Sequence, residues 1–186
     1  MVWAYASVTP VTRRGPDTRV VFLVGFMGAG KTTVGRALAN RLGWSFEDLD
    51  ERIQSREAQT IEQIFRVAGQ SAFRVVEHET IRELLLESRP SPRVVALGGG
   101  AIAQPENAAL LRDSGFPIVF LDAPVEVLWQ RCQEQAIERP LCRDMEKFRD
   151  LYQSRRAYYE TAGLHVNTNN KDIQQVAAEV ACGLGL

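Results

Sequence analysis

The eight residues Gly25-Phe26-Met27-Gly28-Ala29-Gly30-Lys31-Thr32 carry the strongest chemical signal in the chain. They match G-x-x-x-x-G-K-[ST], a loop whose glycines let successive backbone N–H groups turn toward phosphate oxygens. In that pattern Gly28, Ala29 and Gly30 cradle the phosphates and Lys31 bridges the β and γ positions. The Thr32 hydroxyl holds Mg²⁺, and Thr33 is counted with the same nucleotide site. The helix that must follow adds the partial positive charge of its N-terminus.

A phosphate loop does not say what is done with the nucleotide. Guanine recognition asks for N-K-x-D, and Asn170-Lys171-Asp172 has the wrong spacing. A large ATPase asks for a strand ending in adjacent acids. Phe120-Leu121-Asp122 offers one, but Ala123-Pro124 follows, so Asp122 reads better as the cap of the next helix.

Phosphoryl transfer needs little covalent help, so an acceptor site should show positioning groups, cations and something to take or orient a hydroxyl proton. Asp48 and Asp50 stand at the end of the second expected strand and are expected to point different ways, one serving a metal and the other facing substrate. Taken singly, either is as well explained as a cap or a solvated turn residue. Arg74 and Glu77, three apart on a helix, share a face; Glu77 would aim the guanidinium, or the two form an ordinary surface pair. Gly98-Gly99-Gly100 follows the third strand directly, where an open parallel sheet places its ligands, although a tight turn explains it too. With Arg139 and Arg155, Arg74 makes a possible arginine cluster, suited to an acceptor bearing a carboxylate. His78 and His165 have no partner pattern and are read as structural or exposed.

The elements that must hold these groups alternate between β-rich runs and helical periods from Arg19 onward, the pattern of an α/β fold on a parallel sheet. Strands are expected at 20–24, 45–49, 93–97, 118–121 and 165–168, short and mostly apolar as strands covered on both faces should be. Val34, Ala37, Leu38 and Leu42 give a helical stripe ending at Gly43. Thr60 and Gln63 form a capping box for a helix ending near Gly69. Ser71 reads as the cap of a longer helix burying Phe73, Val76, Ile81, Leu84 and Leu85. Pro105 and Pro124 suit first helical turns, and a last helix from about Asp172 turns Ile173, Val176, Ala177 and Val180 to one side. The polar stretch 133–147, with Arg139, Pro140 and Arg143, reads as a mobile lid or an ordinary surface loop.

The chain of 186 residues, 45% hydrophobic, is the size of one domain, expected over 19–186 behind a flexible tail at 1–18. Its net charge of −1 supplies no basic excess for nucleic acid or an anionic membrane, so any anion site must be local. Cys132, Cys142 and Cys182 lack zinc or C-x-x-C spacing, and an odd count does not suit a secreted disulfide framework. With no apolar run near the roughly 20 residues that span a bilayer, a cytoplasmic protein is expected.

Taken in order, GFMGAGKTTVGRALA, FEDLDERI, AFRVVE, LGGGA, ERPL and SRRAYY resemble the shikimate kinase family, from about Val21 to the C-terminus. The resemblance implies a three-layer α/β/α P-loop fold of the nucleoside-monophosphate-kinase type with five parallel strands. It also implies ATP- and Mg²⁺-dependent phosphorylation of the shikimate 3-hydroxyl. By the same match Asp50 faces that hydroxyl, Arg74 and Arg155 grip the carboxylate, and Gly98, Gly99 and Gly100 contact substrate. Asp48 supports Mg²⁺ beside Thr32, and Arg139 swings in with the lid to balance charge on the transferring phosphoryl group. Lys171 is assigned to the nucleotide, and a monomer is expected. The chain departs from the family pattern at Gln70, at Ala157 and across 163–165, none of which touches the expected chemistry. The rivals are a related small-metabolite kinase, such as one acting on gluconate, and a nucleotide-binding regulatory module without turnover.

Overall fold

The computed structural model describes residues 19–87, 91–134 and 144–186. The expected tail and the central part of the expected lid, including Arg139, Pro140 and Arg143, lie outside them.

Strands β1 (Val20–Val24), β2 (Ser45–Asp48), β3 (Arg93–Ala96), β4 (Ile118–Asp122) and β5 (Leu164–Asn167) pair in parallel in the order β2-β3-β1-β4-β5. All five residues of β1 are buried, as a central strand covered on both faces requires. β1 pairs with β3 on one side and β4 on the other, so the chain's strand order reverses there. The crevice beyond the carboxyl ends of strands at such a reversal is where open α/β sheets bind ligands.

The described helices are α1 (Lys31–Leu42), α2 (Leu49–Glu57), α3 (Ile61–Leu86), α4 (Pro105–Asp113), α5 (Val125–Glu134), α6 (Met145–Tyr159) and α7 (Ile173–Leu184). α1 packs against α7 and β3 and ends where Gly43 takes the left-handed conformation, as its sequence predicts. α7 opens on a reciprocal capping box between Asp172 and Gln175 and buries Val176, Ala177 and Val180. Ile173, expected on the same face, is exposed at the first position of the helix. The α6 helix runs unbroken through Ala157, where the family pattern favours proline.

The structure departs from the sequence pattern at four places. Leu49 belongs to α2 rather than β2, since the Asp48 side chain accepts from the Asp50 N–H and starts the helix there. The signal for α2 was present as Asp48 followed by Leu49 and Ile53, both fully buried. Ser71 is not a cap; the break falls at Gly69 (φ 81°, ψ 176°), a conformation reserved for glycine, and the helix resumes at Gln70. Pro124 precedes α5, its carbonyl accepting from Val127 and Leu128 N–H groups, so it sits one position before the first turn. Gln133 and Glu134 belong to α5 and Met145 to Lys147 belong to α6, which narrows the stretch left for a lid.

Candidate active site

The phosphate loop leaves the buried end of β1 and is pressed between two helices. Gly28 holds φ 79°, and a Cβ there would lie 2.5 Å from the Leu128 carbonyl oxygen of α5, so the loop depends on glycine at this point. Phe26 is fully buried, edge-on to Phe148 (4.9 Å) and Tyr152 (5.5 Å) of α6. Trp129 of α5 meets Phe148 at 5.1 Å. The two helices that flank 135–143 are thereby seated on the loop and on each other. The Lys31 ammonium donates to the Gly25 and Phe26 carbonyls at 2.9 and 3.1 Å, which keeps the cation at the loop's mouth. α1 begins directly after Gly30 with no acid of its own in its first turn, so the helix does not oppose its own N-terminal field at Ala29, Gly30, Thr32 and Thr33.

Arg131 escaped the sequence reading because its partners are remote. From α5 it donates to Thr168 Oγ1 (2.9 Å), the Thr168 carbonyl (2.8 Å) and the Gly28 carbonyl (3.5 Å), bracing the loop against the end of β5.

Thr32 and Asp48 meet as expected, the hydroxyl donating to Asp48 Oδ2 at 2.8 Å, while Asp48 Oδ1 accepts from the Asp50 N–H at 3.0 Å. The carboxylates at 48 and 50 diverge because a strand-to-helix junction falls between them. Within a strand, residues two apart would share one face. A hydroxyl and a carboxylate are hard oxygen donors at the edge of a phosphate cradle, and such a pair fits Mg²⁺, which keeps several waters and takes one or two protein carboxylates.

Across the crevice the residues expected to meet the acceptor converge. Arg74 Nη1 lies 2.6 Å from Glu77 Oε2, and the Glu77 side chain is 1% exposed. A Cβ on Gly100 would sit 2.6 Å from Arg74 Nη2, and one on Gly98 would sit 2.8 Å from Asp50 Oδ1 and 3.3 Å from Glu77 Oε1. From α6, Arg155 Nη1 donates to the Gly99 carbonyl at 3.4 Å, and the Tyr159 hydroxyl donates to the same oxygen. Asp50, Arg74, Arg155 and the three glycines therefore share one wall. Arg74 Nε is buried without a hydrogen-bond partner, an unmet donor in this wall. Burial pushes the Glu77 carboxyl above the usual carboxylate range against the pull of Arg74, and the nearby Asp50 charge adds to the rise. Burial also drives the Tyr159 hydroxyl upward, so it stays a donor to Gly99.

The turn after β3 is fixed from a second side. Buried Asn107 donates to the Ala101 carbonyl at 3.1 Å, and its Oδ1 meets His78 Nδ1 at 2.8 Å. His165 is held by the carbonyls of Glu160 and Ala162, so both histidines have the structural roles expected of them. Asp122 does not cap α5. It ends β4, accepts from the Ala123 N–H and the Tyr152 hydroxyl, and pairs with Arg156, because Pro124 separates it from the helix start. Lys171, the residue assigned to the nucleotide, holds its ammonium 2.7 Å from Glu179 of α7. A shallow depression between α2 and α3, lined by Gln54, Ser55, Gln59 and Gln63, has no charged group and stands off the chemistry.

The shikimate kinase family model matches residues 27–183. A shikimate kinase of Geobacter sulfurreducens is 42% identical over 168 residues, spanning 89% of this chain and 90% of its own. The solved shikimate kinase of Acinetobacter baumannii in complex with shikimate superposes with a TM-score of 0.81 at 36% identity, over 91% of this chain and 95% of that one. A gluconokinase of Sinorhizobium meliloti superposes with a TM-score of 0.52 at 22% identity, a likeness of fold alone. With a family match across most of its length and relatives this similar over nearly their whole chains, the protein belongs to the shikimate kinase family.

Proposed function

We propose that this chain transfers the γ-phosphoryl group of ATP to the 3-hydroxyl of shikimate, giving shikimate 3-phosphate and ADP. The observation that carries the reading is the convergence of Arg74 and Arg155, from helices far apart in sequence, on the Gly98–Gly100 turn beside Asp50. Two guanidinium groups suit a carboxylated alcohol, because the planar fork binds carboxylate in bidentate fashion. The lack of side chains at Gly98 and Gly100 makes room for Asp50 and Arg74 to stand against the turn.

Asp50 takes or orients the hydroxyl proton as the acceptor oxygen forms its bond to phosphorus and the bond to the β-phosphate oxygen breaks. Lys31 and the loop N–H groups hold the phosphates in line and offset the charge that gathers on them. Thr32 and Asp48 would hold Mg²⁺, which neutralises phosphate charge when bound. Arg139, outside the described residues, is assigned to the same charge from a lid in the stretch between α5 and α6. The chain is read as one domain over 19–186, a monomer of the cytoplasm. Cys182 as a free thiol accords with a reducing compartment, and no described helix is long and apolar enough to cross a membrane.

ADP release in a coupled assay tests the assignment, with shikimate and gluconate offered separately. Turnover with shikimate well above the gluconate and acceptor-free rates is expected. Equal stimulation by gluconate, or none by either, overturns it.

A further inference from the structure

The acceptor arginine on α6 sits one residue from a second arginine that the reaction does not use. Arg156 Nη2 pairs with Asp122 Oδ2 at 3.2 Å, its Nη1 donates to the Tyr152 hydroxyl, and its guanidinium lies 5.5 Å from the Tyr152 ring centre. Tyr152 in turn donates to Asp122 Oδ1 at 3.1 Å, closing a three-membered ring of contacts. Burial and the Asp122 charge raise the Tyr152 hydroxyl's pKa, so it stays protonated and able to donate.

These contacts divide α6 into two adjacent stripes. Phe148, Tyr152 and Arg156 follow one another at i, i+4, i+8 and meet Phe26 and the end of β4. Arg155 and Tyr159, also four apart, meet Gly99. Neighbouring residues on a helix differ by about 100° in direction, so fixing the first stripe fixes where the second points. Asp122 is itself anchored, since its carbonyl accepts from Thr168 N–H at 2.7 Å and Thr168 is gripped by Arg131, which reaches Gly28.

We infer that Asp122, Tyr152 and Arg156 form a positioning clasp that sets the rotation of α6 and so aims Arg155 at the acceptor carboxylate. The inference rests on the shikimate reading for the identity of that carboxylate. Arg156 is a positioning residue acting through Arg155. Its pair with Asp122 is 42% and 23% exposed, too wet to contribute much to folding stability.

Arg156→Met, Tyr152→Phe and Asp122→Asn test the clasp. Each is expected to raise the KM for shikimate about tenfold, below the roughly hundredfold of a full ångström displacement, with the KM for ATP and the melting temperature little changed. Arg156→Lys, a charge without the fork, should recover only part of the loss. In an Arg155→Ala background, Arg156→Met should add nothing further, the non-additivity expected of residues acting as a unit. An unchanged shikimate KM in Arg156→Met, or a full further rise on top of Arg155→Ala, overturns the proposal. A wild-type chain inert toward shikimate would instead sink the substrate assignment. Amide exchange then decides the clasp: faster exchange across Met145–Tyr159 in Arg156→Met supports it, and exchange equal to wild type overturns it.

Discussion

The Arg74 guanidinium is held 2.6 Å from a Glu77 carboxylate that is 1% exposed, so the arginine set against Gly100 is aimed by a buried acid one helical turn away. Arg74→Ala is expected to weaken acceptor binding by roughly 1.5 to 3 kcal/mol, the scale of hydrogen bonds to a charged group. The shikimate KM measures it, and an unchanged value removes Arg74 from the pocket.

The raised pKa of Glu77 gives that pair a pH signature. Its folded value lies above its unfolded value, so the folded state binds the extra proton between the two. The residue's contribution to stability therefore falls as pH rises through that window. Function runs the other way, because protonating Glu77 releases Arg74. The shikimate KM should rise as pH drops through the raised value, and Glu77→Gln should flatten that limb of the profile. A profile identical to wild type would show that Glu77 does not aim Arg74. Glu87 has the opposite sign: burial pulls it up, but Arg93 and Arg52 outweigh burial and hold it low, so its stabilisation is lost as pH falls through the lowered value.

Asp50→Asn should lower kcat by about 10² to 10⁴, the range for a positioned proton acceptor, with ATP affinity largely intact. Stopped turnover paired with direct nucleotide titration reads both quantities. Near-normal kcat would mean that Asp50 has another role.

Asp48→Asn separates the metal from the fold, since asparagine caps a helix as well as aspartate does. α2 should persist by circular dichroism while the Mg²⁺ concentration for half-maximal activity rises about 10- to 100-fold, as when a group supporting a metal ligand is lost. Chelation should abolish turnover reversibly. An unshifted Mg²⁺ requirement would place the ion elsewhere.

The glycine turn gives the sharpest steric test. Gly100→Ala puts a methyl 2.6 Å from Arg74 Nη2 and should raise the shikimate KM, whereas Gly98→Ala puts one 2.8 Å from Asp50 Oδ1 and should act on kcat. Displacing a reacting group by an ångström costs about 10²-fold. Identical kinetic effects from both variants would argue that the turn merely collapses.

The phosphate loop, the parallel α/β alternation and most strand limits are legible in the sequence because each rests on near neighbours. A glycine pattern, an apolar run, or Thr60 and Gln63 reciprocally capping α3 is complete within a few residues. The strand-end reading held for Asp48 but failed at Leu49 and Asp50, since the Asp48 side chain accepting an N–H two residues ahead starts a helix there. What sequence alone left undecided is which arginines share a wall. Arg155 reaches Gly99 across 56 residues, and Arg131 reaches Gly28 across 103, and only the β2-β3-β1-β4-β5 order brings those pairs together. Residue types determined the chemistry available to this chain; the sheet's order of strands decided which of those residues meet, because contact between distant segments is a property of topology and not of local pattern.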